Sequence, residues 1–322
     1  MTPAPRGSAL VAVVGDVMND VVVRPLRAIE HATDTPSEIE FSHGGSGANQ
    51  AAFLAALGIH VRFVGRAGVR DASGHRQSLE RLGVEVRLGE DPDLPTGTVV
   101  VLVSADGERS MFTDRGANRR LGAGDLEGVL DGAALLHISA YQLLEPQTRR
   151  AIRTLLAAAR RAGIPTSVDP SSHAGLRAAG RAAFFKWTAG ARLVFPNLDE
   201  GRLLSGEVEP EAIVSSLLRS YEIVALKLGG DGALAGTAEG ERVRLAARTA
   251  TVVDSTGAGD AFCAGFLARF VDGGSLAECT AGALQAAAGT VERVGARPPG
   301  GQGAQLVASS SAARHDRRGP AR

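Results

Sequence analysis

The residues best suited to chemistry lie late in the chain, where residues 252–260 end in Thr-Gly-Ala-Gly-Asp and an amphipathic run follows. The glycines permit a tight turn, so Gly257, Ala258 and Gly259 can present consecutive backbone amides at a helix N-terminus, where an anion binds. A carboxylate beside such amides can accept a proton from an attacking hydroxyl. The pattern indicates phosphoryl transfer with Asp260 as general base. The structural alternative is an ordinary glycine-rich turn that leads into a helix.

A second glycine-rich segment, residues 42–52, also precedes a predicted helix. Gly44 and Gly45 form the turn, and Asn49 and Gln50 project amides from the first helical turn. Such amides suit sugar hydroxyls, which need paired donors and acceptors. A capped helix start with two solvent-facing polar residues would look the same.

Taken together, the two segments make the chain resemble the ribokinase-like (PfkB) carbohydrate kinases over about residues 10–299. In that family a Gly-Gly signature lies near residue 45, and an Asp-Thr/Ser-Thr-Gly-Ala-Gly-Asp signature lies near residue 260. The resemblance implies an α/β fold: a three-layer α/β/α core with a mostly parallel sheet, plus a small β-sheet lid. It also implies ATP-dependent, magnesium-assisted transfer of the γ-phosphoryl group to a primary hydroxyl of a small sugar, such as a ribose-like sugar, a ketose or a keto-sugar acid.

The resemblance also marks the acceptor side. Asp16 ends the first strand, where the family places an aspartate that binds substrate hydroxyls, and Asn19 or Asp20 lies nearby. The carboxyl end of a strand is also where open α/β sheets bind ligands, although a turn-forming aspartate is the structural alternative. The other acceptor-side residues implied by the resemblance are Gly44, Gly45, Asn49, Asn118 and Glu145.

On the nucleotide side, the segment Asn197-Leu-Asp-Glu200 matches a family Asn-x-x-Glu element that places magnesium through water. A helix-capping box is the structural reading of the same residues, and the two readings are compatible. The other nucleotide-side residues implied by the family are Lys227, Gly229, Gly232, Thr256, Gly257 and Gly259. A monovalent cation such as potassium would bind near Asp254, Thr256 and Gly295.

Two departures leave the acceptor open. Ribokinases usually have lysine where this chain has Ser46, and many sugar kinases have asparagine after the pair that is Asp169-Pro170 here. A nucleoside kinase of the adenosine or pseudouridine type would need a platform for the base, which aromatic residues of the lid could supply. A phosphosugar kinase would need cations at the acceptor end, and a non-catalytic sugar-binding protein is a remote alternative. The candidate platform residues are Phe41 and Phe112, and the candidate cations are Arg24, Arg109 and Arg115.

Strands and helices must bring these segments together. The apolar run at residues 10–14 predicts a strand buried on both faces. Strands that alternate with helices of ten or more residues predict a mostly parallel sheet covered on both sides. Further strands are predicted at 61–65, 133–138, 166–168, 193–195 and 223–228, and helices at 46–57, 147–162, 210–220, 258–271 and 275–291.

The remaining strands alternate apolar and polar residues, which is typical of a sheet exposed on one face. They lie within residues 17–43 and 97–115 and form the predicted lid. We assign residues 9–299 to the kinase domain, and the apolar-poor residues 300–322 to a disordered tail. The exposed edges of the lid favour a homodimer formed through it.

Composition excludes other classes. The 322 residues carry 35 basic and 35 acidic side chains, and this zero net charge argues against nucleic acid as a partner. No apolar run reaches about 18 residues, so no membrane span or membrane partner is expected. The N-terminus does not read as a signal peptide. With two cysteines and 44% hydrophobic residues, the sequence is typical of a cytoplasmic globular protein.

Overall fold

A computed structural model describes residues 9–104, 109–293 and 295–298. It contains two sheets, and the predicted α/β class with a smaller second sheet is confirmed. The predicted tail at residues 300–322 lies outside the described residues. Among the residues described, no helix has both the length and the hydropathy to cross a bilayer.

The larger sheet has nine strands in the order β13-β12-β11-β10-β9-β8-β1-β4-β5. Its neighbours pair in parallel except for β12, which runs antiparallel to both β11 and β13. The strands, numbered along the chain, are β1 (Leu10–Val14), β4 (His60–Gly68), β5 (Glu85–Asp91), β8 (Ala133–Ser139), β9 (Thr166–Asp169), β10 (Leu193–Val194), β11 (Ile223–Lys227), β12 (Ala233–Thr237) and β13 (Arg242–Leu245).

Helices cover both faces of this sheet. Every residue of β1 is buried, and alternate side chains enter two different hydrophobic cores. One core contains residues of α1, α2, α9 and α10, and the other contains residues of α4 to α8. The helices are α1 (Ser46–Ala56), α2 (Ala72–Glu80), α3 (Tyr141–Leu144), α4 (Arg149–Arg161), α5 (His173–Ala179), α6 (Arg181–Trp187), α7 (Leu198–Ser205), α8 (Pro210–Leu217), α9 (Ala258–Val271) and α10 (Leu276–Val291).

The smaller sheet, which we call the lid, has the order β3-β2-β6-β7. Side chains alternate between its two faces, so the pairing register defines which residues share a face. Phe41, Val21, Val100 and Phe112 form one row across the sheet, while Asp20 lies on the opposite face. Phe41 and Phe112 are 79% and 62% exposed. The lid strands are β2 (Met18–Pro25), β3 (Ser37–Gly44), β6 (Gly97–Val103) and β7 (Arg109–Asp114).

The first strand of the core meets the first helix at very close range. A Cβ atom on either Gly15 or Gly47 would lie 2.5 Å from the Cα atom of the other residue. Only two glycines permit this contact, which places the start of α1 directly on the carboxyl end of β1. The polar residues that follow β1 and those at the start of α1 therefore face one cleft, at the edge where the parallel strands end.

Candidate active site

Asp260 lies half-buried in the first turn of α9, where the two glycine-led segments meet. Ser46 Oγ donates a hydrogen bond of 2.6 Å to its Oδ1, and Asn49 Nδ2 donates one of 3.1 Å to its Oδ2. Burial raises the pKa of Asp260 to about 7, against the opposing effect of these two hydrogen bonds. A carboxylate with this pKa is poised to accept a proton near neutral pH.

The turn before α9 has the shape that an anion site requires. Gly257 is the N-cap residue with φ of 79°, a left-handed conformation that favours glycine. A Cβ atom there would lie 2.6 Å from the carbonyl oxygen of Ala296, so the turn also packs against the segment that follows α10. The N-terminus of α9, at Ala258 and Gly259, lies beside Asp260; the Ala258 amide donates to the Ser255 carbonyl oxygen at 3.2 Å, and the helix dipole is positive at this end.

Lys227, at the end of β11, places its ammonium beneath this turn. Its Nζ donates a 3.0 Å hydrogen bond to Oδ1 of Asp169 at the end of β9, and lies 3.7 Å from the site of a Cβ atom on Gly259. Burial alone would lower the pKa of the ammonium, but Asp169, with smaller contributions from Cys263 and Glu200, outweighs it and raises the pKa. Lys227 is thus a cation, with its side chain 15% exposed, next to the predicted anion site.

Asp16, predicted to bind acceptor hydroxyls, is buried and its carboxylate is already engaged. Its Oδ1 accepts hydrogen bonds from the Gly47 amide at 3.1 Å and from Ser139 Oγ at 3.3 Å. Its Oδ2 pairs with Arg115 Nη1 at 3.2 Å, and that guanidinium stacks on the ring of Tyr141. These contacts fix the junction of strand, helix and lid.

Asp20, four residues further on, is the carboxylate with unmet hydrogen-bonding capacity. Its side chain lies against Gly44, where any Cβ atom would overlap the carboxylate. Within the described part of the chain, no group donates a hydrogen bond to its buried Oδ1. Burial raises the pKa of Asp20 to about 7, opposed by Arg297 and assisted by Asp16. A hydroxyl donor would relieve this unmet demand.

Arg297 is a site residue that the sequence analysis missed. It donates hydrogen bonds to Asn49 Oδ1 at 3.0 Å, to the carbonyl oxygen of Gly44 at 2.8 Å and to Ser78 Oγ at 3.2 Å. Burial lowers its pKa to about 10, against the opposing charges of Asp16, Asp20 and Asp260. The guanidinium therefore balances the negative charge of the cleft. Its position after α10, next to residues predicted to be disordered, gave no sequence signal.

Asn19, predicted on the acceptor side, is held by the helix beneath the lid. Its Nδ2 donates to Asp71 Oδ2 at 2.6 Å, and its Oδ1 lies 2.8 Å from Nε2 of His75 in α2. Burial lowers the pKa of His75 to about 3, so the imidazole is neutral and donates through Nε2. Both amide atoms of Asn19 thus tie the base of the lid to α2 and to the residue that precedes it.

Asn118 is likewise occupied. Its Oδ1 accepts from the Val17 amide at 3.0 Å and its Nδ2 donates to the Val17 carbonyl at 2.7 Å, so it braces the start of the lid. Glu145 follows α3, with its side chain 13% exposed and its Oε2 3.9 Å from Nε of Arg119.

Asn197 and Glu200 form a capping box at the start of α7. Asn197 Oδ1 accepts from the Glu200 amide at 2.8 Å, and Glu200 Oε2 accepts from the Asn197 amide at 2.9 Å. Burial raises the pKa of Glu200, although Lys227 opposes the shift. The helix-capping box expected as the structural alternative is therefore present, and it leaves Oε1 of Glu200 for a further partner.

The predicted nucleotide-side glycines lie beyond β11. Gly229 begins a short turn, and Gly232 packs against the backbone of Leu245 so tightly that a Cβ atom would overlap it. This turn follows directly on Lys227, so it borders the anion site.

The Asp254 side chain forms hydrogen bonds to both of the other residues at the predicted cation site. Its Oδ1 accepts from the Thr256 amide at 2.8 Å and its Oδ2 accepts from the Gly295 amide at 3.1 Å. Thr256 leads into the turn before α9, and Gly295 precedes Arg297. The carboxylate thereby couples the anion site to the segment that carries Arg297.

Comparison with known proteins agrees with this arrangement. The model of the pfkB family carbohydrate kinases matches residues 8–300. An ATP-dependent ribose-1-phosphate kinase from Halopiger xanaduensis is 33% identical over 261 residues, which are 80% of this chain and 82% of that protein. An adenosine kinase structure from Sinorhizobium meliloti superimposes with a TM-score of 0.81 at 26% identity, covering 90% of this chain and 96% of that one.

Ribokinase from Arabidopsis thaliana, solved with ribose and ATP, superimposes with a TM-score of 0.73 at 27% identity and covers 90% of this chain and 94% of its own. The family match spans both glycine-led segments and every described residue of the cleft. The family and enzyme class predicted from the sequence are therefore confirmed. The chain belongs to the pfkB family of carbohydrate kinases and is an ATP-dependent sugar kinase.

Proposed function

We propose that the protein transfers the γ-phosphoryl group of ATP to a primary hydroxyl of a small sugar, with Asp260 as general base. The supporting observation is the position of Asp260 between the amides at the start of α9 and the polar side chains of Asn49 and Arg297. The acceptor oxygen attacks the γ-phosphorus, the bond from that phosphorus to the β,γ-bridging oxygen breaks, and ADP leaves. The acceptor proton passes to Asp260.

The turn at residues 257–259 supplies the anion hole in this proposal, and Lys227 adds a cation beneath it. Fixed amides and a buried ammonium stabilise charge on the transferring group without reorganisation. Nucleotide-side contacts come from the loops around Gly229, Gly232 and Thr256, and from Asn197 at the end of β10. The lid would cover the acceptor and exclude water, which limits ATP hydrolysis.

Magnesium fits the residues present on the nucleotide side. Mg²⁺ keeps several waters and binds through one or two carboxylates together with phosphate oxygens. Glu200 is a buried carboxylate of which one oxygen is bound by its own capping box, so it would hold the ion through water. Magnesium would neutralise charge on the phosphates.

We also propose a monovalent cation, preferentially potassium, near Asp254, Thr256 and Gly295. The observation in support is that the Asp254 carboxylate accepts from the amides of both loops, which places a negative charge between them. Rates measured in potassium and in sodium at equal ionic strength test this proposal. Equal rates would refute it.

A small sugar is favoured over a nucleoside because of where the lid aromatics lie. Phe41 and Phe112, which could have formed a platform for a base, occupy the lid face opposite Asp20. Of the candidate cations for a phosphosugar, Arg24 pairs with Glu40 and Arg115 with Asp16. An ADP-release screen over ribose, ribose 1-phosphate, fructose, 2-keto-3-deoxygluconate, adenosine and pseudouridine tests the acceptor class. Turnover of a nucleoside alone would overturn the sugar proposal, and no turnover of any would favour a sugar-binding protein.

We propose that two copies of the chain associate through the lid. The row of Phe41 and Phe112 gives the lid an apolar, solvent-exposed face, which a second lid would cover. Sedimentation of the wild type and of Phe41→Asp separates dimer from monomer, and a monomeric wild type would refute the association.

We propose that the protein is cytoplasmic. Both cysteines, Cys263 and Cys279, are free and buried, as suits a reducing compartment.

We expect kcat/KM to fall as the pH is lowered through about 7. Asp260 accepts a proton only when ionised, and burial holds its pKa near that value. Activity is therefore present above the pKa and decreases about tenfold per pH unit below it. A pH–rate profile between pH 5 and 9 measures this limb. A flat profile down to pH 5 would contradict the assignment of Asp260, with its raised pKa, as the general base.

Asp20→Asn should raise the KM for the acceptor about 10- to 100-fold, the contribution of a hydrogen bond to a charged group. The KM for ATP should change little, because Asp20 lies on the acceptor side with Gly44 and Arg297. Steady-state kinetics with each substrate varied in turn measures both values. Asp34→Asn, in the exposed loop between β2 and β3, is the matched control. An unchanged acceptor KM would remove Asp20 from the site.

A further inference from the structure

A continuous chain of buried polar contacts runs from the interior of the sheet to Asp260. Gln50, on α1, is fully buried and lies at its centre. Gln50 Nε2 is 2.9 Å from Asp169 Oδ2 and 3.3 Å from Ser46 Oγ, and Gln50 Oε1 is 3.0 Å from His137 Nε2. Ser46 Oγ in turn lies 2.6 Å from Asp260 Oδ1.

The chemistry of the partners fixes the direction of each hydrogen bond. Asp169 forms an ion pair with the Lys227 ammonium, so its carboxylate oxygens accept hydrogen bonds. The amide nitrogen of Gln50 must therefore face Asp169, and its carbonyl must face His137. Burial lowers the pKa of His137 to about 4, so the ring is neutral and donates through Nε2.

The other end of the ring completes the same assignment. His137 Nδ1 lies 2.8 Å from Ser167 Oγ, and it must accept there because the single proton of the neutral ring is on Nε2. Both ends of the buried imidazole are then satisfied, which locks the Gln50 carbonyl in place. The Gln50 amide cannot flip without setting its oxygen against the Asp169 carboxylate.

The second amide proton of Gln50 then determines what Ser46 does. Since Gln50 Nε2 donates to Ser46 Oγ, the one hydroxyl proton of Ser46 is free to point elsewhere, and its near neighbour is Asp260 Oδ1. A hydroxyl that donates to a carboxylate stabilises the ionised form. Without Gln50, Ser46 could equally accept a proton from a protonated Asp260.

We propose that Gln50 is a positioning residue: held in one orientation by Asp169 and His137, it directs the Ser46 hydroxyl proton onto Asp260 and so maintains the ionised, oriented form of the general base. This inference rests on the proposed role of Asp260. It links the cation beneath the anion site to the base, since Lys227 keeps Asp169 an acceptor and Asp169 orients Gln50.

Other titratable groups also face Asp260, and Gln50 contacts one of them, Asp169. They belong to the end of β1, to α3, to β9, to α9 and to the segment after α10. These groups are Asp16, Tyr141, Asp169, Cys263 and Arg297. Because Gln50→Met also removes a hydrogen bond to Asp169, Ser46→Ala, which leaves that bond in place, separates the two effects on the titration of Asp260.

The test is the acid limb of the kcat/KM profile, measured with the acceptor of the screened panel that has the highest kcat/KM. We expect Gln50→Met to raise the midpoint pH of this limb by about 0.7 pH unit, which is the pKa shift that corresponds to the loss of one neutral hydrogen bond. Ser46→Ala should move it by a similar amount. The double variant should move it no further, because Gln50 acts through Ser46. Additive shifts, or an unmoved limb in folded Gln50→Met, would overturn the proposal.

Gln142→Met is the matched control. Gln142 is also fully buried, and within the described residues neither of its side-chain amide atoms has a partner. The same substitution there should leave the limb in place, which separates orientation of the base from loss of a buried amide. If Gln50→Met does not fold, as judged by circular dichroism, Gln50→Asn replaces it, since its shorter side chain cannot reach both Asp169 and Ser46.

Failure of this inference is distinguishable from failure of the proposed base. If Asp260→Asn retains transfer activity, the limb does not belong to Asp260 and the base assignment is wrong. If Asp260→Asn is inactive while Gln50→Met keeps the wild-type limb, the base stands and the positioning role of Gln50 is refuted.

Discussion

Asp260→Asn should lower kcat by about 10³-fold or more while the dissociation constant for ATP stays within a few-fold of the wild type. General-base catalysis by a positioned side chain contributes about 10²- to 10⁴-fold. The substitution keeps the size of the side chain and removes its ability to take the acceptor proton, together with one of the two hydrogen bonds that its oxygens accept from Ser46 and Asn49. The proposed anion site consists of backbone amides at the start of α9, so the substitution leaves it available to the phosphates. Single-turnover kinetics and calorimetric titration with ATP measure the two quantities.

Asp199→Asn provides the control for this experiment. Asp199 is also a first-turn aspartate, in α7, but its side chain is exposed and pairs with Arg202 on the same helix. The same change there should leave kcat at the wild-type value. Substantial transfer by Asp260→Asn would mean that another group removes the proton, and loss of ATP binding would mean that the carboxylate serves the nucleotide side instead.

The sequence predicts well those parts of the structure that rest on local pattern. β1 is a pure apolar run, and in the structure its alternate residues enter two cores, so composition alone identified it. The turn at residues 257–259 was predictable because glycine spacing before a helix has few other uses. In contrast, α2 carries only Ala72, His75 and Leu79 as buried residues, which is too weak a periodicity to detect.

The site was less predictable than the fold, because its contacts are long-range. Arg297 reaches Asn49 across 248 positions, and nothing near Arg297 in the sequence distinguishes it from the other arginines. Asn19 and Asn118 have the residue type that binds sugars, yet neighbours from other elements engage both of their amides. Residue type and spacing thus locate the cleft, while the partner that each polar group chooses depends on packing that only the folded chain defines.

His137 and Gln50 illustrate the same limit. A single histidine in the apolar strand β8 reads as a core residue, and a glutamine beside Asn49 reads as a solvent-facing amide. Both are fully buried, and each satisfies the other. Buried polar groups need partners, so one such residue implies a second, but the sequence does not say which.

Lys227→Met should lower kcat by about 10²- to 10³-fold and should also destabilise the fold by about 3–5 kcal/mol. The rate effect follows from removing one fixed cation beside the anion hole, where a single donor contributes this much. The stability effect follows because Asp169, which is 3% exposed, would be left as an unpaired buried charge. Single-turnover rates and urea denaturation measure the two effects separately.

Lys227→Met/Asp169→Asn distinguishes the catalytic role from the structural one. Neutralising Asp169 removes the unpaired charge, so the double variant should regain most of the lost stability while its rate stays low. The chain contains one other lysine, the exposed Lys186 on α6, and Lys186→Met should change neither quantity. If the double variant recovers the rate along with the stability, Lys227 acts only by pairing with Asp169. The ammonium beneath Gly259 would then have no part in stabilising the transferring phosphoryl group.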